Sequence, residues 1–204
     1  MKAKFITFEG SEGTGKSTQS RLLYQYLKSR GLKVIYLREP GGTRVSEKIR
    51  KILLDARNDK MSAGCEMLLY MASRAQLVNE IIKPALSRGL SVICDRFLDS
   101  TLAYQGFGLG IDIGLIKYLG NFATAGIKPD LTIFLDLPVK KGLRHRRLNC
   151  DRIEKRPLGY HARVRNGYLA IGRQEPRRFK IVKVAEDKAV TQANIRRLVD
   201  KYVF

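Results

Sequence analysis

Residues Gly10-Ser11-Glu12-Gly13-Thr14-Gly15-Lys16-Ser17 fit G-x-x-x-x-G-K-[ST] at every specified position. Such a turn does phosphate chemistry. Its glycines let backbone N–H groups turn inward around phosphate oxygens. The N-terminus of the helix that follows adds partial positive charge. Lys16 is expected to reach the β- and γ-phosphates of a nucleoside triphosphate, with the Ser17 hydroxyl on Mg²⁺ and Thr18 beside it in the nucleotide site. This motif specifies triphosphate binding and leaves the reaction open.

A carboxylate is needed near that metal. Asp95 follows the apolar run Leu90-Ser91-Val92-Ile93-Cys94, and Arg96 comes directly after it. An Asp-Arg pair at a strand end can serve a metal and a phosphate together. Asp136 also ends an apolar run and is read as a strand-end turn residue. The two histidines, His145 and His161, have no carboxylate or serine at motif spacing and are read as non-catalytic. The three cysteines, Cys65, Cys94 and Cys150, are an odd number and far apart, so reduced structural thiols are expected rather than a disulfide framework.

The elements that must hold these residues follow from periodicity. Strands are expected at Lys4–Glu9, Lys33–Arg38, Leu90–Cys94, Leu131–Leu137 and Ile181–Val184. Leu22, Leu23, Tyr26 and Leu27 recur at helical spacing until Gly31. A short helix carries Ile49, Ile52 and Leu53. A long one places Leu68, Ala72, Ala75, Val78, Ile82 and Leu86 on one apolar face, with Pro84 as a kink or break. Asn194–Val203 reads as a closing helix. Strands alternating with helices and apolar on both faces imply a parallel α/β sheet covered on two sides.

With 204 residues, 44% of them hydrophobic, no internal repeat and no linker, the chain is expected to form one domain over 1–204. No apolar run approaches a membrane span, and the N-terminus lacks a signal-peptide pattern, so a cytoplasmic protein is expected. The net charge of +20 attracts polyanions, from nucleic acid to nucleoside phosphates. Between Lys140 and Lys180 stand 14 basic residues and 3 acidic ones. Most of this charge is read as solvated surface, and the stretch from about 140 to 160 as a lid.

Several further segments coincide with the phosphate motif: Phe8-Glu9-Gly10, Arg38-Glu39-Pro40-Gly41-Gly42-Thr43, Tyr70-Met71-Ala72-Ser73-Arg74, Asp95-Arg96-Phe97, Ser100-Thr101-Leu102-Ala103-Tyr104-Gln105-Gly106, Asp151-Arg152-Ile153-Glu154, and His161 through Tyr168. In this order the chain resembles the bacterial thymidylate kinases over nearly its whole length. The resemblance implies a P-loop fold with a five-stranded parallel sheet, flanking helices and a lid. It implies Mg²⁺-dependent phosphoryl transfer from ATP to dTMP, and a homodimer packed through helices.

It also implies roles. Arg96 resembles the family's ligand for the acceptor phosphate, and Arg50 a second one. Glu12 matches an acidic position near the acceptor sugar hydroxyl. The loop has no basic residue before Lys16, so the transition-state cation is expected from the lid. Arg152 is the matching candidate, with Arg144, Arg146, Arg147 and Arg156 as rivals. Tyr70 is expected to stack on the pyrimidine and Arg74, one turn on, to donate to a thymine carbonyl. Glu39 falls in the dTMP site, Pro40 walls the far side of the base, Thr101 and Gln105 match polar contacts to it, and Tyr104 matches the aromatic that crowds the sugar 2′ position. The departures are Tyr70, where the family more often has Phe, and the segment Lys155-Arg156-Pro157-Leu158-Gly159-Tyr160, which is often acidic and carries Phe at the last position.

Other classes stay open at this point. A kinase for dCMP, AMP or a deoxynucleoside would use the same scaffold. A nucleic-acid-stimulated ATPase would fit the charge. A non-enzymatic nucleotide-binding module would leave the acceptor-side residues without a purpose.

Overall fold

A computed structural model describes residues 3–144 and 151–202. His145, Arg146, Arg147 and Cys150 lie outside the described residues.

The elements run β1 (Phe5–Glu9), α1 (Lys16–Ser29), β2 (Val34–Arg38), α2 (Arg44–Leu54), α3 (Ala63–Leu77), a π-helical turn (Val78–Ile82), α4 (Lys83–Ser87), β3 (Ser91–Asp95) and α5 (Leu98–Thr101) with a π-helical extension (Leu102–Gly108). Then come α6 (Ile113–Ala123), β4 (Leu131–Asp136), α7 (Val139–Arg144), α8 (Leu158–Gln174), β5 (Phe179–Lys183) and α9 (Lys188–Tyr202). The five strands form one parallel sheet in the order β2-β3-β1-β4-β5.

The strand side chains alternate between two cores, as the pleat requires. Ile6, Phe8, Ile93, Ile133 and Leu135 pack with Leu23 and Leu27 of α1 and Ile195 and Val199 of α9. On the other face, Phe5, Val92 and Cys94 meet Leu77, Val78 and Ile82, while Phe134 meets Tyr168 of α8. Register places Phe8 opposite Asp95, and Asp95 opposite Arg38. The carboxyl ends of β1, β2 and β3 therefore share one edge, the edge at which open α/β sheets bind ligands.

Three expectations are corrected or sharpened. The inward face of α3 is not the apolar stripe read from sequence. Leu68 is 54% exposed and Ala72 is exposed, while Glu66, Ser73 and Arg74 are buried with Met67, Met71 and Leu77. The buried charges are ion-paired, so hydrophobicity does not mark this face. At Pro84, read as a kink or break, the winding changes: the π-helical turn Val78–Ile82 precedes it and α4 carries the proline in its first turn. β5 begins two residues before the expected strand, and α9 six residues before the expected helix.

In Arg38–Thr43 the threonine is a capping residue. Its hydroxyl accepts from the Ser46 backbone N–H at 3.1 Å, closing the first turn of α2, which is worth about 1 kcal/mol. None of the described helices is long and apolar enough to cross a membrane.

Candidate active site

A cavity of about 340 Å³ lies along the carboxyl edge of the sheet. Its lining includes Glu12, Gly13, Gly15, Lys16, Ser17 and Thr18 from the phosphate turn and Arg38, Glu39 and Pro40 from the end of β2. Arg50, Tyr70, Asp95, Arg96, Thr101, Tyr104 and Gln105 complete most of the wall, and Asp151, Ile153 and Glu154 close it.

The phosphate turn folds as its glycines dictate. Gly13 and Gly15 take positive φ, and α1 starts at Lys16. Lys16 Nζ donates to the Ser11 carbonyl at 2.6 Å, and Thr14 Oγ1 to the same oxygen at 3.1 Å. Burial, with the nearby Arg96 charge, lowers the Lys16 ammonium to about 8 against the pull of Glu12, Asp95 and Glu9. Ser17 Oγ donates to Asp95 Oδ2 at 2.5 Å, so the two expected metal ligands stand together as hard oxygen donors. That donor set fits Mg²⁺, which is held by few protein oxygens and completed by water and phosphate. No group of three or more His, Cys, Asp or Glu placed to hold a metal ion exists among the described residues.

Arg96 sits at the centre. It takes φ 73°, a left-handed conformation costly for a side-chain-bearing residue. This turn aims its guanidinium back over the end of β1. Nη2 donates to Glu12 Oε1 at 2.9 Å and Tyr104 Oη at 3.0 Å, and Nη1 to the Gly10 carbonyl at 3.1 Å. Tyr104 Oη in turn donates to Glu12 Oε1 at 2.6 Å. Burial opposes ionisation of Glu12, but Arg96 and Lys16 outweigh it and hold the carboxyl at about 2. Arg50 and Arg38 both donate to the Pro40 carbonyl, at 2.9 and 2.8 Å, adding two half-buried cations to the same wall.

Behind Arg96 is a shell the sequence did not announce. Glu9 is fully buried and accepts from Ser100 Oγ at 2.5 Å, Tyr168 Oη at 2.8 Å and the Phe97 N–H at 2.8 Å. Ser100 and Tyr168 both contact Arg96 Nη1. Burial and the Asp99 charge raise the Glu9 carboxyl to about 7. The folded protein therefore keeps this proton up to about pH 7, whereas the unfolded chain releases it near 4.5. Raising the pH from 4.5 to 7 thus favours unfolding through this group. Glu9→Gln is expected to remove that slope: relative to the unsubstituted protein it should be more stable at pH 8 than at pH 5. Urea midpoints at the two pH values check this, and a pH-independent difference would refute it.

Arg74 is 1% exposed and does not line the cavity. Nε and Nη2 pair with Glu39 Oε2 at 2.8 and 2.7 Å, Nη1 donates to Thr101 Oγ1 at 3.0 Å, and Nη2 donates to the Phe97 carbonyl at 3.0 Å. It stands behind Glu39 and Thr101 and sets their positions. Tyr70 does line the cavity, as do Thr101, Tyr104 and Gln105.

Arg152 departs from its expected place over the phosphates. Asp151 Oδ1 accepts from the backbone N–H groups of Ile153 and Glu154, both at 2.9 Å, and the resulting tight turn presents 151, 153 and 154 to the cavity. Arg152 points the other way. It is buried, with Nη1 2.6 Å from Glu66 Oε2 and Nε on the Leu53 carbonyl at 3.1 Å. Asp136 behaves as read: it pairs with Arg165 of α8 at 2.7 Å, outside the cavity lining. His161 is buried in α8 beside the Tyr160 ring.

Among residues missed, Gly142 of α7 packs so tightly on Gly13 and Glu12 that a Cβ on either glycine would collide with the opposing backbone carbonyl. This contact docks the chain after β4 onto the phosphate turn. Arg38, Asp151 and Glu154 were inside quoted motifs without a role. Glu66 carried no signal at all.

With this geometry in hand, comparison with known proteins is decisive. The thymidylate kinase family model matches residues 8–195. The chain belongs to the thymidylate kinase family. It is 50% identical to the thymidylate kinase of Geotalea daltonii over 208 residues, covering 95% of this chain and 97% of that one. It is 43% identical to the thymidylate kinase of Thermoanaerobacter sp. strain X514 over the whole of both chains. The crystal structure of thymidylate kinase from Ehrlichia chaffeensis superposes with a TM-score of 0.81 at 32% identity, covering 98% of this chain and 100% of that one. The chain thus has the P-loop fold of that family, with its own five-stranded parallel sheet.

Proposed function

We propose that the whole chain acts as one kinase domain that transfers the γ-phosphate of ATP to dTMP, giving dTDP and ADP in the supply of dTTP. The observation that carries this is Arg96, which contacts the phosphate turn through Gly10 and Glu12 and the acceptor wall through Ser100 and Tyr104. Family membership supplies the substrate pair.

Phosphoryl transfer rests on positioning and charge neutralisation rather than on covalent chemistry. In this reading Gly10–Thr18 cradle ATP and Lys16 neutralises its terminal phosphates. Ser17 and Asp95 would hold Mg²⁺, which when bound spreads the charge of those phosphates. Arg96 and Arg50 take the dTMP phosphate, and a planar fork suits it better than an ammonium. Glu12 faces the sugar hydroxyl, Tyr104 crowds the 2′ position, Tyr70 stacks on the base, and Pro40, Thr101 and Gln105 border it. Glu39 lines that pocket, and Arg74 acts from behind it through Glu39 and Thr101. Arg152 reaches the phosphates only by leaving Glu66, so its assignment as the lid cation rests on the resemblance.

The test is Mg²⁺-dependent ATP consumption against dTMP, dUMP, ribo-TMP, dCMP and AMP. Preference for dTMP with dTDP as product is expected. Preference for another monophosphate overturns the base-pocket assignment. ATP turnover that responds only to DNA overturns the kinase reading.

The same reading includes a cytoplasmic homodimer without nucleic acid or membrane partners. Its support is an apolar surface on three packed helices. Tyr118 and Phe122 of α6 are 76% and 82% exposed, and Leu115, Leu68 of α3, and Val45 and Ile52 of α2 are exposed with them. Phe122→Asp is expected to halve the mass seen by sedimentation. A monomeric unsubstituted protein would refute the dimer.

A further inference from the structure

Glu66 lies in the first turn of α3 with no exposed surface. Its Oε2 is 2.6 Å from both Arg152 Nη1 and Arg156 Nη2, and its Oε1 accepts from Gln105 Nε2 at 2.8 Å. Arg152 adds two bonds to the end of α2, through Nε to the Leu53 carbonyl at 3.1 Å and through its backbone N–H to the Leu54 carbonyl at 3.4 Å. Arg156 lies over the Tyr160 ring at 4.5 Å. One buried carboxylate thus ties together the turn at 151–156, the start of α3 and the segment that carries Gln105.

This arrangement is poor value as a stabilising device. Buried ion pairs seldom outperform well-packed apolar residues, because desolvation consumes the Coulombic gain. Here two guanidinium groups share one carboxylate, and Arg152 Nη2 and Arg156 Nη1 are buried without a hydrogen-bond partner among the described residues. What the arrangement does achieve is placement. Ile153 and Glu154 are held in the cavity wall next to Gln105, and Gln105 has its amide orientation set by an acceptor that cannot rotate away.

We infer that Glu66 is a positioning residue for the acceptor half of the site, fastening the 151–156 turn over the cavity and orienting Gln105, so that occupancy of the acceptor pocket and fastening of that turn are coupled. The inference rests on the acceptor-pocket reading above. Coupling of this kind is reciprocal: an acceptor that binds better to the fastened state must tighten the fastening.

The experiment uses the full chain, amide hydrogen exchange of 151–156, and steady-state kinetics. In the unsubstituted protein, saturating dTMP is expected to slow exchange of these amides. Glu66→Gln keeps the volume and removes the charge. It should speed their exchange by at least about tenfold, abolish the dTMP-dependent slowing and raise the KM for dTMP about tenfold, with the KM for ATP within about twofold. Glu66→Asp keeps the charge at a shorter reach and should give intermediate values in the same order. It also serves if Glu66→Gln does not fold. Faster exchange with an unchanged KM for dTMP overturns the coupling, and unchanged exchange overturns the fastening. A parallel rise in both KM values would mark Glu66 as merely structural and overturn the inference. Failure of the acceptor reading is separate, since an unsubstituted protein that phosphorylates no monophosphate shows it before any variant is made.

Discussion

Arg96→Ala is expected to lower kcat/KM for the monophosphate acceptor by about 10³–10⁵-fold while the affinity for ADP stays close to normal. The guanidinium contacts Glu12, Tyr104, Ser100, Tyr168 and the Gly10 carbonyl, and lines the cavity. Without it the two phosphates would approach with Lys16, Arg50, Arg38 and the metal left to offset their repulsion. Glu12 would lose its strongest opposite charge and be pushed up from about 2. Arg96→Lys should recover little, because one ammonium cannot span Glu12, Tyr104 and the loop carbonyl at once. Steady-state kinetics alongside a nucleotide-binding titration check the result. A near-normal kcat in Arg96→Ala would move the acceptor-phosphate role to Arg50 and Arg38.

Arg74→Ala is expected to cost about 3–5 kcal/mol of stability and also to raise the KM for dTMP. The stability loss follows from geometry. Glu39 is buried, and Arg74 is its counterion at 2.7 Å, so truncation leaves an uncompensated carboxylate inside the protein. Burial already raises the Glu39 pKa, and without Arg74 it rises further. The change in KM follows because Thr101 and Glu39 both line the cavity and both lose the group that holds them. Adding Glu39→Gln to Arg74→Ala should restore part of the stability and none of the dTMP affinity. Urea unfolding and the KM values for ATP and dTMP separate the two effects. Equal weakening of ATP and dTMP would show Arg74 to be a packing residue only.

The charged residues least visible in sequence are those whose partners lie far away along the chain. Glu66 meets Arg152 and Arg156 across some 90 residues, and Glu9 meets Tyr168 across 159. Helix α8 was also missed, although its buried residues Tyr160, Val164, Gly167, Tyr168 and Ile171 recur at helical spacing. Its arginines and glycines diluted the hydrophobic signal in a stretch read only for its charge. On α3 the opposite holds: Leu68 and Ala72 have core-like spacing but are exposed, because apolar spacing does not tell a face turned to the protein from one left uncovered.

The sequence by itself determined the phosphate turn, the strand ends that carry Glu9, Arg38 and Asp95, and the family. The first two are local: a glycine pattern dictates a backbone conformation, and an apolar run of five dictates a buried strand. The tertiary structure alone decided that Arg96 joins the phosphate turn to Ser100 and Tyr104, that Arg74 stands behind Glu39 and Thr101, and that Arg152 turns to Glu66. Those outcomes depend on which charges share a buried space. A buried guanidinium goes to the nearest carboxylate that can replace its water, and only the folded chain defines which one that is.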